Sequence, residues 1–365
     1  MRMGRRLGVS IITTAAALGL AAHPVRGQAD SAATARPESV KVGILFDADT
    51  PLQLRIAVDL RTLLNDRDSL KAAYHPASLT YRVGDSVPVS VPVELKTRGH
   101  WRRQTRNCAF PPLLTNFPRS KVEGTLFANQ DKLKLVTPCR PGVREYEEYV
   151  LREYLVYKVY NLLTPWSLRA RLASTTYVDT TGRQDSLTRQ TFLIEDPEQM
   201  AARNGGQLLE VRGAEFALMD SLQMGLVGTF LYLIGGTDWS LRGLHNIELV
   251  QDVEHGVFRP VTYDFDFTGI VNTAYAGPDP RLRLRSVRER LYRGSCLTDE
   301  QWPAVLTTFR EHKAAIYALY ATTPGLSPGY VKDTHRYLDE FYRVIDDPAK
   351  LSSELIRKCR AAEGV

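Results

Sequence analysis

After residue 22 the 365-residue sequence has no apolar stretch of bilayer-spanning length, and together with 44% hydrophobic content this argues for a globular product. Nor does any Lys/Arg run reach the density of a nucleic-acid patch. Arg102, Arg103 and Arg106 come closest, so nucleic acid is set aside as a partner. Cysteine is scarce, with four residues at 108, 139, 296 and 359, and none forms a Cys-x-x-Cys spacing beside a His. Disulfides are therefore favoured over zinc, with Cys108 paired to Cys139 and Cys296 to Cys359, because each pairing stays within one segment. Four reduced core thiols are the alternative. No internal repeat or low-complexity stretch is visible.

What is present begins at the amino terminus. Arg2, Arg5 and Arg6 precede the uncharged run Leu7 to Ala22, followed by His23, Pro24, Arg26 and a small-residue stretch. That order reads as a cleavable signal peptide over residues 1–29, with cleavage near Gln28 to Ala29 and an exported product in the periplasm, cell envelope or medium. A retained membrane anchor is the alternative. No Cys follows the apolar run, so no thiol is offered for lipid attachment. The 47 Lys and Arg against 41 Asp and Glu give +6, but Arg2, Arg5, Arg6 and Arg26 lie in the signal region, so the mature chain is only weakly basic.

Two differently patterned parts follow. Residues 38–140 read as a strand-rich lobe, with strands at Val40–Phe46, Leu79–Val83, Val87–Thr97 and Lys132–Val136 and one helix near Leu52–Leu64. Residues 141–365 read as a helix-rich lobe. Within it, Tyr146, Tyr149, Val150, Tyr154, Tyr157, Val159 and Leu162 recur at helical spacing over Glu145–Leu163. Strands are expected at Arg171–Val178 and Thr188–Ile194, joined by a turn at Thr181-Gly182-Arg183. A buried helix over Ala214–Ile234 stops at Gly235-Gly236, two strands follow at His245–Gln251 and Val257–Asp264, and the remainder is helical.

The candidate chemistry sits where the buried helix meets those last two strands. Asp238 follows the glycine stop, His245-Asn246 opens a strand, and Tyr263-Asp264-Phe265-Asp266-Phe267 ends the next one with two carboxylates among aromatics. Like charges in so apolar a setting repel unless a cation or a proton is shared. A divalent ion meets that demand, and oxygen ligands select Mg²⁺ or Mn²⁺ over zinc. Taken singly, Asp238, Asn246 and Asp264 also read as caps and turn formers.

The order Arg98-Gly99, Gly236-Thr237-Asp238-Trp239 with His245-Asn246, and Tyr263-Asp264-Phe265-Asp266-Phe267 resembles the CotH-type atypical protein kinases, with Tyr177 to Glu195 matching a family hairpin that ends in a Glu. The likeness covers Lys96 to Gly269, about half the chain, and rests on short motifs in matching order. It implies an α+β, bilobal kinase-like fold that binds ATP between a strand-rich and a helix-rich lobe, with a protein hydroxyl as acceptor. By position, Asp238 takes the place of the catalytic-loop Asp and Asn246 that of a metal-binding Asn. Asp264 and Asp266 take the strand-end metal positions, with Arg98 and Glu195 on the nucleotide.

One departure stands out, because the stretch Cys108-Ala109-Phe110-Pro111-Pro112-Leu113 holds no Lys where the family supplies a phosphate-binding one. Lys132 and Lys134 are the nearest substitutes, two apart on one strand face, with Glu147 or Glu148 as ion-pair partner; plain surface solvation is their other reading. Two further classes fit parts of the pattern. A nucleotide-sugar glycosyltransferase would use Asp264-Phe265-Asp266 but leaves Asp238 and Asn246 without a role. An envelope binding protein would keep the carboxylates for a structural cation.

Overall fold

The computed structural model describes residues 40–68 and 70–360, so the expected signal segment lies outside the described residues. In β1 (Leu52–Val58) the buried residues Leu52, Leu54, Ile56 and Val58 alternate with more exposed ones, the period of a strand with one face on a core. β2 (His75–Arg82), β3 (Val89–Thr97), β4 (Leu113–Asn116), β5 (Lys132–Val136) and β6 (Ala170–Asp179) largely continue the pattern, whereas β7 (Leu187–Ile194) is buried without a break over its last four residues. The seven close into a barrel in the order β1-β2-β3-β4-β5-β7-β6. All neighbours are antiparallel except β1 and β6, which close the ring in parallel, Leu54 opposite Thr175. Apolar side chains including Ile56, Leu79, Val93, Leu95, Leu133 and Tyr177 fill its core.

This barrel corrects the expected bilobal kinase-like fold. The chain is α+β, but its first seven strands form one ring that runs past the expected lobe boundary to Ile194, rather than an open sheet facing a second lobe. Alternation fixes which face of a strand is buried, not whether the first strand finds a partner far along the chain. Local readings shift as well. Residues 40–46 carry no strand, and the expected helix at Leu52–Leu64 divides into β1 and α1 (Leu60–Asn65), capped by the Asp59 carboxylate accepting from the Thr62 amide.

Eight further α-helices follow among the described residues: α2 (Arg119–Val122), α3 (Arg144–Leu163), α4 (Pro197–Arg203), α5 (Ser221–Ile234), α6 (Gln301–Glu311), α7 (Lys313–Thr322), α8 (Pro328–Ile345) and α9 (Pro348–Glu354). A second sheet, β8 (Gly206–Leu209), β9 (Ile247–Asp252) and β10 (Val257–Thr262), pairs antiparallel in the order β10-β9-β8. α3 and α5 are buried on nearly every side, and their Tyr160 and Phe230 rings stack at 4.5 Å in the core shared with α6, α7 and α8. α5 ends as its glycine signal predicts, with Gly235 left-handed at φ 67° and its amide returned to Leu231 and Tyr232.

Both expected disulfides, Cys108–Cys139 and Cys296–Cys359, are formed. No described helix is long and apolar enough to cross a membrane. Both features are compatible with an exported protein.

Candidate functional site

Helix α3 organises the site through one row of side chains. Tyr149, Glu153 and Tyr157 are four residues apart and therefore stack along one helix face. The Tyr149 hydroxyl accepts the Ala274 amide at 2.9 Å, and the Tyr157 hydroxyl accepts the Asp264 amide at 3.0 Å. Between these two anchors, Glu153 presents a carboxylate that is 2% exposed. The segment after β10 is thus pinned to α3 on both sides of that carboxylate.

Phe265 fixes the direction of its neighbours. Its ring is buried against Tyr157 at 4.7 Å and Phe230 at 5.6 Å, so this residue anchors the segment in the core between Asp264 and Asp266. Asp264 adopts a left-handed φ of 63°, a strained choice for a residue with a Cβ that the Tyr157 contact helps to hold. Oxygens of Glu153, Asp264 and Asp266 lie within 4.8 Å of one another.

Arg102 supplies the compensating charge. Its guanidinium approaches Glu153 Oε2 at 3.6 Å, Asp264 Oδ1 at 3.4 Å and Asp266 Oδ2 at 3.3 Å, all longer than a good charge-assisted hydrogen bond. Glu153 Oε1, though buried, has no hydrogen-bond partner among the described residues. One cation therefore serves three carboxylates incompletely. Burial disfavours the Arg102 charge, but Asp266, Glu153 and the other anionic neighbours outweigh it and hold its proton well above the usual range. For Glu153 burial dominates: it pushes the carboxyl up, Arg102 pulls it down, and Asp266 and Asp264 push it up again. Asp266 is raised by burial and by Asp264, against Arg102 and the Tyr275 hydroxyl, which donates to Oδ2 at 3.1 Å. The demand for a cation or a proton read from the sequence is met here first by an arginine.

The loop bearing Arg102 is held firmly. Cys108–Cys139 ties its far end to the chain beyond β5, Arg67 donates to the carbonyls of Cys108 and Ala109 at 2.6 Å each, and Trp101 stacks on Tyr275 at 4.8 Å.

Asp238 stands across the cleft. The Arg293 guanidinium donates to the Thr237 carbonyl at 2.6 Å and the Trp239 carbonyl at 3.1 Å, fixing the backbone on either side of it. A tight return, with Ser240 and His245 exchanging backbone hydrogen bonds at 2.9 Å, brings His245 Nε2 to Asp238 Oδ1 at 2.9 Å. Asn246, left-handed at φ 53°, donates its side-chain amide to the Asp238 carbonyl at 2.8 Å. Arg98, Arg102, Asp238, His245, Asn246, Asp264 and Asp266 line one cleft of about 330 Å³.

The residues singled out from sequence divide accordingly. Arg98, Asp238, Asn246, Asp264 and Asp266 line the cleft. Lys134 sits beside it, its ammonium 4.4 Å from the centre of the Tyr263 ring, and burial followed by the nearby Arg98 lowers its proton affinity. Lys132 is half exposed and pairs with Asp131 at 3.8 Å. Glu147 bonds Arg189 at 3.2 Å. Glu195 is enclosed by Arg203 at 2.9 Å and the Arg169 amide at 2.9 Å, and Glu148 pairs with Arg152 at 3.0 Å. The members that sequence reasoning passed over are Glu153 and Arg102. The signal for Glu153 was its four-residue spacing from Tyr149 and Tyr157.

The donor set suits a hard divalent ion, since three carboxylates converge and Glu153 keeps an unpartnered oxygen. Among known proteins, no family model and no curated sequence matches the chain.

Proposed function

We propose that the cleft binds a nucleoside triphosphate with Mg²⁺ or Mn²⁺ and transfers the terminal phosphoryl group to a protein hydroxyl, the chemistry implied by the CotH-type motifs. The barrel removes the bilobal frame from this reading, which rests on the site alone. One observation carries it: Asp264 and Asp266 line a cleft that also holds Arg98, Asp238 and Asn246, and the buried Glu153 carboxylate converges on them from helix α3. Phosphoryl transfer needs positioning and charge stabilisation more than covalent help from the protein. Glu153, Asp264 and Asp266 would hold the ion, which when bound would neutralise charge on the phosphate oxygens. Arg98 offers a planar fork for the phosphates, and the half-exposed Asp238 is accessible to an acceptor hydroxyl.

A non-catalytic binding role is the second reading, favoured by the way Arg102 already neutralises part of the cluster. Incubation with terminally labelled ATP and Mg²⁺ or Mn²⁺ separates the two. Label transfer by the wild type and its loss in Asp266→Ala is the expected result. Absence of transfer with either metal, alongside a melting-temperature gain from ATP, would establish a binder, and a gain from nucleotide sugars alone would point to glycosyl transfer.

A further inference from the structure

We propose that His245 is the proton acceptor of this cleft and that Asp238 is its positioning partner, an inference that rests on the phosphotransfer reading above. A carboxylate can only accept a hydrogen bond, so the 2.9 Å contact with Asp238 Oδ1 places the imidazole proton on Nε2. That leaves the Nδ1 lone pair free, and Nδ1 makes no hydrogen bond to any described residue. The ring is 58% exposed in the cleft, within reach of an incoming hydroxyl and of bulk water. Asp238 is in turn held by the Asn246 amide and by Arg293 on its flanking carbonyls. This is a base oriented by a third group, itself oriented, the relation that activates weak oxygen nucleophiles on unrelated folds.

The step balances without any further reactant. The acceptor hydroxyl oxygen forms a bond to the terminal phosphorus as its proton passes to His245 Nδ1. The bond between that phosphorus and the bridging oxygen breaks, and the diphosphate leaves with the electron pair. The imidazolium, paired with Asp238, then gives its proton to solvent.

The groups facing His245 agree with that role. Asp238 accepts the Nε2–H at 2.9 Å, so a proton gained at Nδ1 is balanced by a carboxylate already in contact. Arg98, His100, Arg102 and Asp266 line the same cleft.

ATP with Mg²⁺ is the probe, read as labelled phosphate released to water and incorporated into the chain. The expected wild-type rate rises with pH through a single limb. His245→Gln loses roughly a hundredfold in turnover and loses the limb, with KM for ATP little changed. Asp238→Asn moves the limb to lower pH, and added imidazole partly restores His245→Gly. Full turnover by His245→Gln beside a dead Asp238→Asn would make Asp238 itself the base and overturn this proposal while the phosphotransfer reading stands. A wild type silent toward ATP would overturn both, whatever a histidine NMR titration showed of the Asp238 contact.

Discussion

Two buried glutamates of this protein lie near arginines and behave differently. Glu195 receives Arg203 at 2.9 and 3.1 Å and the Arg169 amide at 2.9 Å, so both of its oxygens are satisfied. Glu153 shares Arg102 with two aspartates at 3.3 to 3.6 Å and keeps one oxygen without a partner. Both are 2% exposed. The difference is therefore not burial but compensation. A satisfied buried pair is a fastening, whereas an undercompensated cluster open to a cleft is a place where a ligand gains by binding.

The largest effects should come from removing Arg102, the shared cation of one cluster, or Glu195, the carboxylate of the other. Arg102→Ala leaves the buried Glu153 and Asp266 and the partly exposed Asp264 with no cation inside the cluster and should cost about 3–5 kcal/mol in urea denaturation. Its pH dependence has a definite sign. Glu153 and Asp266 have folded proton affinities raised above their unfolded ones, so the folded state favours their protonated forms, and that stability is lost as pH rises through the raised range. The Arg102→Ala deficit should therefore be smaller at pH 5 than at pH 8. An equal loss at both would break the contrast.

Glu195→Ala should cost a similar amount, about 3–5 kcal/mol, by leaving the Arg203 charge without its carboxylate and with only the Pro165 and Ser167 carbonyls, yet leave any gain in melting temperature from Mg²⁺ with ATP intact. Replacing both Cys108 and Cys139 by Ser removes a link between positions 31 apart and should cost about 2–4 kcal/mol. Because that link steadies the Arg102 loop, proteolysis should quicken first near residues 98–108. The smallest change is expected from Glu153→Gln. It relieves like-charge repulsion and should stay within about 1 kcal/mol of wild type, moving toward greater stability as pH rises from 5 to 8. A loss as large as that of Glu195→Ala would make Glu153 another fastening.

Local features of this arrangement were legible in the sequence where local rules suffice. The α3 periodicity, the β5 strand, the glycine stop after α5 and both disulfide pairings follow from spacing. So did a group of chemistry-bearing residues around the 238–246 and 264–266 segments, which share the cleft. Barrel closure was not legible, because the β1–β6 pairing joins segments whose alternation is satisfied equally well in an open sheet. Glu147 and Glu148 were singled out on α3 rather than Glu153, but they pair with Arg189 and Arg152, and it is Glu153, in phase with Tyr149 and Tyr157, that faces the aspartates. Arg102 was read with Arg103 and Arg106 as a sparse basic patch, although it alone of the three is buried. Lys132 and Lys134 share a strand face, yet only Lys134 reaches the Tyr263 ring beside the cleft.

If compensation decides where a ligand binds, the undercompensated cluster, not the satisfied one, takes an ion together with phosphate. Titration calorimetry of ATP into the intact protein, with and without Mn²⁺, tests it most directly. Mn²⁺-dependent binding is expected of the wild type and of Glu195→Gln, with its loss in Asp266→Ala. Binding that ignored Mn²⁺, or that survived in Asp266→Ala and vanished in Glu195→Gln, would contradict it.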